Sequence, residues 1–156
     1  MKLRMLLVGS LMCLFAADVL AQTPAPWLGT WKLDVAKSTY KPGPPPKSQI
    51  VKNLAAAAGG YDQTTHTVTA DGKETHAEFF AKPDGKDYPM KGDAADAIWV
   101  KKIDDYKNEW ATKKGGKVVT TGKTSYSKDG KMRTLTWTGT DEKGQKLEGT
   151  AIYARQ

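Results

Sequence analysis

Turn pairs recur along this chain with a regularity that leaves little room for helices. From Ser48 onward they read Gly59-Gly60, Asp71-Gly72, Asp84-Gly85, Asp104-Asp105, Gly115-Gly116, Asp129-Gly130 and Lys143-Gly144, most of them about 11 to 14 residues apart. Asp-Gly and Gly-Gly pairs supply the positive φ angles that tight hairpins require, and the interval is that of strand, turn, strand. The wider gap between Asp84 and Asp104 holds a further turn at Lys91-Gly92-Asp93. Between turns lie segments rich in β-branched and aromatic residues, such as QTTHTVTA, KVVTTGKTSY and RTLTWTGT. DAADAIW comes nearest to a helical period and is too short. About ten strands joined by hairpins, with no crossover helix, form an antiparallel up-and-down sheet. Such a sheet removes its exposed edges by closing into a barrel. The predicted fold is one all-β barrel from Trp27 to the C-terminus.

The first residues set the compartment. Lys2 and Arg4 precede an apolar run from Met5 to Ala17, and Val19 and Ala21 stand at the −3 and −1 positions before Gln22. This is the pattern of a signal peptide over 1–21, too short to span a membrane, followed by a barrel domain over 22–156. Cys13, the chain's one cysteine, leaves with that segment. The expected product is exported, periplasmic or secreted, and must stand on its core without a disulfide. Losing Lys2, Arg4 and Asp18 takes the formal net charge from +7 to +6. A basic balance of this size suits an anionic partner.

GTWKL at Gly29–Leu33 resembles the G-x-W signature that opens the first strand of lipocalins and fatty-acid-binding proteins, the calycin group. GTAIYARQ resembles the closing strand of the same group, and the opening GTWKL…AKS…PGPPPKS is similar to exported bacterial lipocalin-like proteins. The resemblance implies a calycin-type barrel that binds a small molecule. It also implies that Arg155 packs over Trp31 at the closed end, a structural pair held by a cation–π contact. Two departures limit what carries over. Where fatty-acid-binding proteins place two lid helices, Pro42, Pro44, Pro45 and Pro46 favour extended backbone. Where they hold a carboxylate with an arginine two residues before the closing-strand tyrosine, this chain has Ala151.

Chemistry for catalysis is sparse, and no catalytic residue, metal or cofactor is assigned. The only histidines, His66 and His76, flank the Asp71-Gly72 turn. A two-residue hairpin loop sets His66 opposite Ala77 and His76 opposite Thr67, on opposite faces; a three-residue loop puts both histidines on one face. Glu74 and Glu78 share the face of His76. Nucleic acid is excluded as a partner, because the expected mature chain has only Arg133 and Arg155 and no arginine cluster.

Leucine, isoleucine and valine are scarce and threonine abundant, so a partly polar, partly aromatic interior could hold a ligand and water. The candidate ligand-binding residues are Trp99, Trp110, Trp137, Tyr153, Lys41, Lys113, Lys114 and Lys117. AIWVKKI has apolar residues in both phases, so either Ile98 or Trp99 points inward. In an up-and-down barrel the proline-rich loop shares an end with the turns near residues 72, 93, 115 and 143. That end carries ten lysines against seven acids, a net of +3, while the opposite turns balance. The expected function is non-enzymatic binding of a small hydrophobic or amphipathic anion that enters there; contact with an anionic membrane surface is a second use of the same field. The alternative is a filled barrel serving as a structural or interaction module.

Overall fold

The computed structural model describes residues 25–92 and 94–156; residues 1–24, where the signal peptide is expected, and Asp93 lie outside them. Eleven strands occur among the described residues: β1 (Gly29–Leu33), β2 (Thr39–Lys41), β3 (Ser48–Ala55), β4 (Tyr61–Val68), β5 (Glu74–Ala81), β6 (Asp84–Lys91), β7 (Ala97–Asp104), β8 (Lys107–Lys114), β9 (Lys117–Tyr126), β10 (Met132–Thr140) and β11 (Lys146–Arg155). All pairings are antiparallel, and β1 bonds to both β3 and β11, which closes the sheet. The ring has ten strands, because β2 continues the course of β1 along β11 after a single 3-10 turn at Val35–Lys37. Ser38 ties this step down: its hydroxyl donates to Asp34 O at 2.7 Å and accepts from Ile152 N at 3.0 Å.

Most predicted turns fall between strands. Asp84-Gly85 does not: the chain reverses at Lys82-Pro83, and Asp84 and Gly85 open β6 beside a register shift that extends to Asp87. A glycine at positive φ serves a bulge as readily as a turn apex, so the same residue pair had two readings. The seam between β5 and β6 is the sparsest in the ring, reduced to the pairs Glu78 with Lys91 and Phe79 with Met90.

Strand alternation sends Trp31, Val51, Tyr61, Phe79, Ile98, Val100, Tyr126, Ala151 and Tyr153 inward, all buried. They form two clusters, one around Trp31 and Tyr153 and one around Phe79 and Ile98, with Trp27 touching both. Across the waist, cross-strand registers align Val100, Trp110, Gly122, Trp137, Gly149 and Tyr40 in one inward row. Large and small residues alternate there for a steric reason. A Cβ on Gly122 would lie 2.3 Å from Trp110 Cζ2, and one on Gly149 2.4 Å from Trp137 Cζ2. The two indoles lie flat across these glycines, and Tyr40 meets the Trp137 ring edge-on at 4.8 Å.

Candidate functional site

The two ends of the barrel differ. At one end Arg155 seals the bottom: Nη1 donates to Leu28 O at 2.6 Å, Nη2 to Pro26 O at 2.8 Å, and Nε to Gly130 O. Its guanidinium carbon lies 4.4 Å from the centre of the Trp31 ring. Trp31 is fully buried and donates its indole N–H to Trp27 O at 3.3 Å. Each donor group of Arg155 therefore has a carbonyl acceptor.

Above this seal lies an inner chamber of about 190 Å3, walled by Tyr61, Phe79, Ile98, Val100, Tyr126 and Leu135, with Gln63, Asn108, Thr124 and Arg133 as its polar groups. An outer chamber of about 450 Å3 sits at the end of the proline-rich loop, walled by Tyr40, Pro42, Pro44, Trp137, Leu147 and Tyr153 among others. Trp110, Thr112 and Leu135 border both chambers and form the neck between them. Trp110 is fixed there by its indole N–H, which donates to Thr124 Oγ1 at 3.2 Å.

Arg133 is the unusual member. Its side chain is 6% exposed, and its Nε and Nη1 have no hydrogen-bond partner. Its guanidinium stacks on Tyr153, 4.9 Å from the ring centre. No aspartate or glutamate lines the inner chamber among the described residues. A guanidinium stays charged in any protein environment, and a buried charge without an acid beside it costs several kcal/mol. Burial also pushes the phenol pKa values of Tyr61, Tyr126 and Tyr153 up, partly offset by the Arg133 charge, so these hydroxyls stay protonated and able to donate. Tyr153 already donates to Gln49 Oε1. The inner chamber thus combines apolar walls with one cation and the phenols of Tyr61 and Tyr126.

The sequence candidates divide by strand phase. Trp110, Trp137 and Tyr153 point inward and line the chambers. Trp99 does not join them: Ile98 takes the inward position, and Trp99 lies on the outer face opposite Asp87 and Ala111. Lys41 reaches the outer chamber and sits 3.6 Å from Glu148, which Lys146 also meets at 2.6 Å. Lys113 is engaged by Asp87 at 2.6 Å on the outer surface, while Lys114 and Lys117 flank the turn that joins β8 to β9. Sequence reasoning passed over Arg133 as a site residue. The signal was present in MRTLTWTGT, where alternation sets Arg133 and Leu135 on the face of Trp137.

The histidine register follows the longer loop. Thr69 N donates to Lys73 O at 2.9 Å, leaving three residues in the turn. His66 therefore opposes His76, which overturns the two-residue pairing with Ala77 and Thr67. Among the described residues no helix is long and apolar enough to cross a membrane.

No protein-family profile and no curated protein matches the chain. Solved structures do. The Rv2717c protein of M. tuberculosis is 19% identical, with 86% of this chain and 98% of that one covered, at a TM-score of 0.54. A mutant of the fluorescent protein UnaG is 14% identical, with 84% and 96% covered, at a TM-score of 0.51. At these identities the likeness concerns the fold, and the fold is a closed calycin-type antiparallel barrel.

Proposed function

We propose that this chain is an exported, non-enzymatic binding protein for a small anionic amphiphile, with the anionic group of the ligand on Arg133 and its apolar part against Trp110 and Trp137. The observation that carries this reading is Arg133 in the lining of a chamber that has no acid among its lining residues, with Nε and Nη1 buried beside it and without hydrogen-bond partners. An incoming carboxylate or phosphate would supply the counter-charge, and a turn of the Arg133 side chain toward the chamber would let it accept the charge-assisted hydrogen bonds that guanidinium makes to such groups. Chamber size limits the ligand. A dry cavity of about 150 Å3 takes up benzene, so the inner chamber of about 190 Å3 suits a compact headgroup or one ring. A chain or second ring would extend through the neck into the outer chamber. Export rests on the pattern of residues 1–21 alone.

The rival reading is a filled barrel acting as a structural module. It draws on the stacked waist, where Trp110, Trp137 and Tyr40 take up much of the interior. Native mass spectrometry of freshly purified protein separates the two. A copurifying small molecule, or uptake of one equivalent of an anionic amphiphile, supports binding. Bare protein that takes up nothing from a lipid panel supports the filled barrel.

A further inference from the structure

The chain has only two histidines, and the sheet brings them face to face. His66 on β4 and His76 on β5 are direct cross-strand partners on the outer surface, their rings stacked with centroids 4.5 Å apart and 22° between planes. Glu74 lies two residues before His76 on the same face, and its Oε2 sits 3.4 Å from His66 Nε2. One ligand atom from each of the three residues falls within 4.8 Å of the other two. We propose that His66, His76 and Glu74 form a surface site for a divalent late transition-metal ion, with water completing its coordination.

The geometry suits this chemistry. With metal–nitrogen and metal–oxygen bonds near 2.0–2.1 Å, the ligand atoms of a tetrahedral zinc ion stand about 3.3 Å apart. The His66–Glu74 separation of 3.4 Å is already of that size. The longest separation, up to 4.8 Å, closes by rotation of exposed side chains without movement of the strands. The hairpin beneath is pinned by Thr69 N to Lys73 O and Gly72 N to Thr69 O, both 2.9 Å, so the two strands hold their register. Two lysines line the same groove as the histidines, Lys52 on β3 and Lys91 on β6, and Lys91 is held by Glu78 at 2.7 Å. Two imidazoles and a carboxylate match zinc and copper(II) and match poorly the all-oxygen sites of calcium or magnesium. The site lies on the outside of the sheet and shares no residue with the Arg133 chamber, so either assignment stands if the other fails.

Isothermal titration of the untagged, whole protein with zinc chloride tests the site, with copper(II) electron paramagnetic resonance as a second readout. One equivalent should bind, and nitrogen hyperfine structure should appear on the copper signal. His66→Ala and His76→Ala should each weaken zinc binding by about a hundredfold, and Glu74→Gln by about tenfold. Asp62→Asn, elsewhere on the outer face of β4, should leave it unchanged. Absence of zinc binding by the wild type overturns the proposal. So does binding that survives in a folded His66→Gln, His76→Gln double variant, whose fold is checked by tryptophan fluorescence.

Discussion

The barrel holds two arginines, one on each of two neighbouring strands, and they have opposite circumstances. Arg155 gives its donors to three carbonyls and lies over Trp31, so its charge is fully used in closing the bottom. Arg133 stacks on Tyr153 and leaves two nitrogens unpartnered. A satisfied cation strengthens a fold; an unsatisfied buried one weakens it until something binds. Under the proposed function, the closed end serves stability and the chamber above it serves recognition.

The largest effect should come from breaking the closed end. Arg155→Met removes three charge-assisted hydrogen bonds and the contact with Trp31, and should cost about 3 kcal/mol in urea unfolding. Loss of less than about 1 kcal/mol would mean that the seal is decorative. Next comes the waist. Gly122→Ala sets a methyl against Trp110 and Thr136 O, and should cost about 2 kcal/mol by overpacking while displacing the indole that forms the neck. Reduced ligand uptake should accompany the lost stability, which separates this variant from a purely structural one.

Alkaline titration sharpens the contrast between interior and surface. Burial raises the pKa values of Tyr61, Tyr126 and Tyr153 above that of a free phenol. The unfolded chain loses these protons near pH 10 while the folded chain keeps them. Stability is therefore unaffected by these groups below about pH 10 and falls as pH rises above it. Phenolate absorbance should lag for these tyrosines and appear together with unfolding; full ionisation of all six tyrosines in a folded barrel would contradict their burial. The smallest effect should come from the mouth. Lys113→Glu, Lys114→Glu and Lys117→Glu together should slow uptake of an anionic amphiphile a few-fold at low salt and hardly at all at high salt. The matching reversal at Lys82, Lys86 and Lys128 should do less. Equal effects from the two sets would remove the mouth field from the account.

Fold and site were not equally legible in the sequence. Turn pairs and alternation carry the barrel because hairpin chemistry is local, and the ends of the chain carry its closure through Gly29–Leu33 and Leu147–Arg155. Register is less local. One residue in the turn after Val68 decides whether His66 meets His76 or Ala77, and Thr69-Ala70-Asp71-Gly72-Lys73 permits both loop lengths. Phase at Ile98 and Trp99 needed the sheet, since apolar residues occupy both faces there. Whether an arginine has its partners is a property of the packed interior. Arg133 could be put on the inward face by counting, but its unpaired nitrogens could not.

The central claim is that Arg133 is kept for a ligand's negative charge. The direct measurement is a tryptophan-fluorescence titration of wild type and Arg133→Met with decanoate and with decanol, alongside urea unfolding of both proteins without ligand. The account predicts that wild type prefers the carboxylate by about tenfold or more, and that Arg133→Met loses this preference while keeping or slightly gaining stability. Equal affinity of wild type for acid and alcohol, or a variant that unfolds easily and still prefers the acid, would contradict it.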